Sequence, residues 1–156
     1  MLGARRLAAC GGAALAPLLL GAADAQLAPG LWELINTPGV AALDGHELDD
    51  LPLGPSRTQQ VCLTAAEAAD PARFFARDTE ADCRITRASV AGGTVEIEGA
   101  CPNAEGGNDG VVKLSGRYGT DSYDIDFSSR AEDFQGVMTF SGKLTGRRVG
   151  DCAQTR

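Results

Sequence analysis

Apolar and polar positions alternate most regularly near the end of the chain, where Met138, Phe140 and Leu144 are interleaved with Val137, Thr139, Ser141 and Lys143. A period of two sends successive side chains to opposite faces, so residues 136–152 predict the closing strand of an antiparallel sheet. The same period predicts a hairpin before it. Val112, Leu114, Gly116 and Tyr118 alternate with Lys113, Ser115 and Arg117, and the turn Gly119-Thr120-Asp121-Ser122 leads into Tyr123, Ile125 and Phe127, with Asp124, Asp126 and Ser128 opposite. One face of this hairpin is apolar and the other wet. Residues 82–90 and 94–101 flank Ala91-Gly92-Gly93, a second hairpin signal, with Val95, Ile97, Gly99 and Cys101 on one face. A first strand is expected over 29–35, where Trp32, the sole tryptophan, reads as a core anchor.

The pattern breaks over 36–55. Pro38-Gly39, Pro52 and Gly54-Pro55 punctuate a stretch carrying Asp44, Glu47, Asp49 and Asp50, and a long mobile connection is expected there. Residues 56–63 predict a strand that delivers Cys62. Thr64-Ala65-Ala66-Glu67 has the form of a capping box, and Asp70-Pro71 restarts or kinks the short helix that follows. At least one of Phe74 and Phe75 should pack on the sheet. Glycines within strands at 99, 116, 142 and 146 allow strong bending. These readings give a mainly β fold: an antiparallel meander curled into a sheet or small barrel-like fold, with one short helical segment.

The first residues change the picture of where this fold matures. Arg5 and Arg6, an apolar run from 7 to 21 and Ala23-Asp24-Ala25 describe a secretory signal peptide cleaved after Ala25. The run is interrupted by Pro17 and falls short of the roughly 20 apolar residues of a spanning helix. Leu7-Ala8-Ala9-Cys10 has the letters of a lipoprotein box, but three residues after Arg6 make no apolar region, so Cys10 reads as part of the signal. Arg5-Arg6 reads as an ordinary positive start rather than twin-arginine export. The expected organisation is a signal over 1–25 and a single β domain over 26–156, periplasmic or secreted.

Of 14 basic and 21 acidic residues, Arg5, Arg6 and Asp24 leave with the signal, so the domain carries 12 and 20, a net charge of −8. Such a surface repels nucleic-acid phosphates and anionic headgroups, and no second long apolar run follows Ala25. Four cysteines remain: Cys62, Cys83, Cys101 and Cys152. An even number in a small exported chain reads as two disulfides with three possible connectivities, which the sequence does not choose among. The arrangement adopted as an expectation is Cys62–Cys83 with Cys101–Cys152, tying one local unit and clasping the tail to the sheet. Zinc is disfavoured by the absence of any Cys-x-x-Cys and by a single, distant histidine.

Candidate chemistry is sparse. His46 lies in Asp44-Gly45-His46-Glu47-Leu48-Asp49-Asp50, whose spacing matches neither a calcium loop nor a zinc motif and reads as a solvated acidic loop. No Gly-x-Ser-x-Gly elbow accompanies it. Glu96 with Glu98 and Asp124 with Asp126 share strand faces, yet alternating carboxylates on an acidic protein read as solubilising. Gly106-Gly107-Asn108-Asp109-Gly110 has the glycines of a phosphate loop without the following Lys-Ser/Thr and reads as a turn. No catalytic constellation, cofactor or metal is therefore expected.

Pro-Gly-Leu-Trp-Glu at 29–33, Val-Cys-Leu-Thr at 61–64, Asp-Cys at 82–83, Cys101, the Gly-x-Tyr-x-x-x-x-Tyr hairpin at 116–123 and Gly-Arg-Arg-Val-Gly-Asp-Cys at 146–152 carry a resemblance. In this order they resemble the bacterial exported proteins catalogued as domain of unknown function 3617. The resemblance implies an exported, cysteine-stapled fold and supplies no activity, ligand or site residue. Many such relatives have methionine-rich connections, whereas Met138 is the only methionine after the signal, so methionine-based copper binding is not carried over.

Two roles fit this reading. In the first, the chain is a non-enzymatic binding module whose curled sheet holds a small hydrophobic ligand against Trp32, Leu114, Tyr123, Phe127, Met138 and Phe140. In the second, it is an envelope interaction or structural protein that meets another protein through a sheet edge or the 36–55 segment.

Overall fold

The alternating runs pair into one antiparallel sheet in the computed structural model, which describes residues 25–77, 83–103 and 108–153. Except for Ala25, the expected signal lies outside the described residues, as do Asp82 and Gly106-Gly107. The elements are β1 (Gly30–Leu43), β2 (His46–Glu47), β3 (Arg57–Leu63), α1 (Ala65–Ala68), α2 (Pro71–Ala76), β4 (Arg84–Ala91), β5 (Thr94–Cys101), β6 (Gly110–Tyr118), β7 (Ser122–Asp133) and β8 (Gly136–Gly150). Strands β4 to β8 form the expected meander. β1 then docks on β8 and carries both β2 and β3 on its other edge. β3 and β4 are the outer strands and do not pair, so the sheet is curled and open rather than closed.

Register places the apolar sets of all strands on one face. Val95 lies opposite Gly116, Ile97 opposite Leu114, Leu114 opposite Phe127, Ile125 opposite Leu144 and Tyr123 opposite Gly146. Two glycines are required by the rings above them: a Cβ on Gly146 would run into the Tyr123 ring, and one on Gly142 into the Phe127 ring. The core sits on this concave face. Trp32, Leu63, Val95 and Ile125 are fully buried there, with Phe74 and Phe75 brought over by the helices. The Trp32 indole N–H donates to the Ala28 carbonyl at 2.9 Å, so its burial leaves no donor unpaired.

The helices start as their sequence dictates. The Thr64 hydroxyl accepts from the Glu67 N–H and the Glu67 carboxylate accepts from the Thr64 N–H at 2.8 Å, a complete capping box. Those bonds from Thr64 hold the Glu67 carboxyl below its usual range. A depressed carboxyl stabilises the fold above its ordinary titration range, and that contribution is lost as pH falls through the folded-state value. Asp70 caps α2 by accepting from the Arg73 N–H at 3.1 Å, with Pro71 in the first turn. Both phenylalanines pack inward, in keeping with the expectation of at least one.

Two expectations are corrected. Residues 36–43 are strand, not mobile connection: β1 runs on to Leu43 and turns at Asp44-Gly45 into β2. Pro38 is tolerated because β3 stops pairing at Asn36, so its missing N–H faces an edge, and a register shift follows between Pro38 and Ala41. The Asp44 carboxylate accepts from the Val137 N–H at 2.8 Å and fastens the turn to β8.

The disulfides are Cys62–Cys152 and Cys83–Cys101, not Cys62–Cys83 and Cys101–Cys152. The reason is topological. Arg84 pairs with Ala100, so the β4–β5 hairpin itself brings Cys83 to Cys101, Cα to Cα 4.1 Å. Cys62 leaves β3 at the opposite edge of the sheet from Cys83. There it pairs with Leu31, whose other neighbour is Gly150, and the bridge to Cys152 reaches across the end of β1, Cα to Cα 5.5 Å. Peptide mapping without reduction should recover these two linked pairs. Loop-closure entropy for separations of 90 and 18 residues is worth about 4.6 and about 3 kcal/mol. Replacing both Cys62 and Cys152 by Ala should therefore lower the urea-unfolding free energy more than replacing Cys83 and Cys101. Equal losses would contradict the nested pairing.

Candidate functional site

The concave face divides into a covered half and an uncovered half. Over the first, α1 and α2 seal an aromatic cluster: Trp32 stacks on Tyr123 with centroids 6.0 Å apart, and Phe75 meets Tyr123 edge-on at 5.2 Å and Tyr118 at 5.7 Å. Phe74 joins at 6.5 Å from Trp32, and Arg77 lies over its ring at 4.5 Å. Such pairs add to the area they bury. This half is a packed core.

Over the second half the sheet continues with the same patterning, and a cavity of about 460 Å³ opens against it. Its floor is Val112, Leu114, Phe127, Phe140 and Leu144, with the Phe127 and Phe140 rings 5.5 Å apart. Asn36 of β1 and Gln59 of β3 form one wall, and Cys83 and Cys101 lie at another. The volume falls in the range of about 300–1,000 Å³ that small-molecule sites occupy. Only Leu114 among the floor residues is buried; the others are partly exposed.

Among the described side chains, little charge stands on this face: register places only Arg57 and Arg148 there, and Arg130 borders the cavity. The carboxylates of Glu33, Asp124 and Asp126 and the cations Lys143 and Arg147 occupy the convex side, joined as Lys143–Asp124 at 2.8 Å, Lys143–Asp126 at 3.5 Å and Arg147–Glu33 at 2.7 Å. The hydrogen bond to Asp124 raises the Lys143 ammonium above the ordinary lysine range. Lys113–Glu98 at 3.1 Å continues the ladder. The paired carboxylates weighed as catalysts thus lie on the wet side, away from the cavity, and His46 stands exposed in the β1–β2 hairpin opposite Leu43. Among the described residues no group of His, Cys, Asp and Glu could hold a metal.

The residues expected to face a ligand are therefore split. Leu114, Phe127 and Phe140 line the cavity. Trp32 and Tyr123 share their face but are spent in the covered core, where Phe74 and Phe75 take the place of any ligand. Met138 is on the same face by register, opposite Ala131, yet lies outside the cavity and is 36 % exposed. Asn36 and Gln59 were missed. Asn36 falls where the alternation breaks, and an amide on a weakly patterned strand carries no signal until the pairing of β1 with β3 is known.

The molecule is a disulfide-stapled, open antiparallel sheet with a half-covered concave face. Residues 27–152 match the family described as Protein of unknown function (DUF3617), and the chain belongs to it. No curated protein and no solved structure matches the chain. No helix among the described residues is long and apolar enough to cross a membrane.

The two halves should respond differently to truncation. Phe75→Ala removes a buried ring from a packed cluster and should cost about 3–5 kcal/mol in urea unfolding. Phe140→Ala, at the open cavity, should cost about 1–2 kcal/mol, since less area is withdrawn from water. Similar costs would mean that the cavity half is packed as tightly as the core.

Proposed function

We propose that this protein is an exported, non-enzymatic binding module for a small hydrophobic ligand held in the cavity between β1, β3 and the β6–β8 strands. One observation carries the reading: an apolar face of continuous pattern is covered over one half by α1 and α2 and left open over the other. Exposed apolar surface of this kind marks binding sites, because leaving it in water is unfavourable. Export is supported by the leader-like residues 1–25 and by two disulfides, which persist in oxidising compartments. Binding rather than catalysis is supported by the separation of the carboxylate pairs and His46 from the cavity.

An interaction role in the envelope is the second reading, favoured by Phe134. This residue stands at the turn between β7 and β8 with 84 % of its surface exposed.

Native followed by denaturing mass spectrometry, on protein exported with its own leader and gently purified, decides between them. An added mass that leaves on denaturation is expected, together with cleavage after Ala25 and loss of four thiol protons. Ser129→Trp, which places an indole into the cavity from its half-exposed wall, should abolish the added mass while the protein still unfolds cooperatively. A clean mass from the unsubstituted protein, with partners captured by cross-linking at Phe134, would overturn the ligand reading in favour of the second.

A further inference from the structure

The cavity has a chemically distinct end. Among the described side chains of β1 and β3–β8 that share its face, charge is confined to Arg57 and Arg148. Arg148 is already engaged, donating to the Pro29 carbonyl at 2.9 Å and pairing with Asp151. Arg57 is different. It pairs in register with Asn36 and stands two residues from Gln59, so it shares the face of both amides at the wall of the cavity. Among the described residues it has neither an ion pair nor a hydrogen bond, and neither do the Asn36 and Gln59 side chains. On the convex side Lys113, Lys143 and Arg147 each meet a carboxylate, whereas Arg84, Arg87 and Arg117 meet none among the described residues, so it is its place on the concave face that sets Arg57 apart. Arg130 borders the cavity from the opposite-face row and lies 3.6 Å from Glu132.

Resting on the binding function proposed above, we propose that the ligand is a single-chain amphiphile with a carboxylate head. The acyl chain lies along Leu114, Phe127 and Phe140. The carboxylate sits at the wall, where the Arg57 guanidinium and the Asn36 and Gln59 amides supply donors without a competing acceptor charge. A guanidinium fork matches a carboxylate in geometry as well as charge. Arg57 does not itself line the cavity but stands on β3 two residues beyond Gln59, and an unpaired cation beside the amide wall selects the acid over the alcohol of equal length, because only the acid gains the ion pair while both bury the same chain. The net negative surface slows the approach of an anion without reversing this preference, since its field is screened beyond about 8–10 Å at physiological salt.

Calorimetry with the mature protein tests this, using dodecanoate and 1-dodecanol as probes and phosphatidylglycerol vesicles as the alternative source of an anionic head. Dodecanoate should bind more tightly than dodecanol. Arg57→Gln should weaken dodecanoate about fivefold, the scale of an exposed ion pair, and leave dodecanol within about twofold. Arg57→Lys should restore part of the loss, and Arg117→Gln, an equal charge change on the convex face, should leave both unchanged. If both probes bind equally and Arg57→Gln changes neither, the headgroup assignment falls while the cavity function stands. Arg57-dependent binding to the vesicles in place of free dodecanoate would overturn it in favour of a membrane surface. Binding of no probe by a protein that does carry an added mass in the spectrometer would overturn it too, whereas no probe and no added mass would remove both proposals together.

Discussion

A single sheet with one apolar face must have that face covered, and this chain has very little with which to cover it. In most two-layer folds the second layer spans the sheet. Here it consists of helices of four and six residues, delivered between β3 and β4. Phe74 and Phe75 are large enough to seal the end of the sheet where Trp32, Tyr118 and Tyr123 stand. They do not reach the end where Phe127 and Phe140 stand, and that shortfall creates the cavity. The division into core and site is thus a consequence of how much helix the sequence provides, since the strands beneath are patterned alike throughout.

An open sheet has two outer strands with one unpaired edge each, and both disulfides act on them. β3 is tied by Cys62–Cys152 to the segment beyond β8, across β1; β4 is tied by Cys83–Cys101 to β5. Each outer strand, which has lost half its possible ladder, is therefore also anchored covalently near one end. The edges are also polar along much of their length, with Arg57, Thr58, Gln59 and Gln60 on β3 and Arg84, Thr86 and Arg87 on β4. Such edges are poor templates for further strand pairing. Closure into a barrel is unnecessary, and the gap between β3 and β4 leaves the cavity accessible.

Much of this was legible in the sequence, wherever the physics is local. Alternation around Gly119-Thr120-Asp121-Ser122 placed the β6–β7 hairpin, Gly92-Gly93 placed the β4–β5 turn, and Thr64 with Glu67 placed the helix start. What was hidden depends on contacts distant along the chain. Pro38 reads as a breaker until it is known that β3 has already ended beside it. The disulfide partners depend on which edge each strand occupies, and nothing in the spacing of four cysteines reports that. The site suffered likewise: period two correctly put Trp32, Leu114, Tyr123, Phe127 and Phe140 on one face, but only the reach of α2 decides which of them a helix covers.

The cavity is better explained as a retained feature than as imperfect packing. A packing defect is small and closed, because side chains and backbone relax into it. This space is bounded by strands that are well paired on both sides, with Gly142 beneath Phe127 holding the ring in place. Ser129 and Ala131 line it with small side chains, where larger ones would take up part of the space. Charge provides the second argument. The described carboxylate side chains of β5 and β7, Glu96, Glu98, Asp124, Asp126 and Glu132, all stand in the convex row although water reaches the open half of the concave face as well, so exposure alone does not set where they lie.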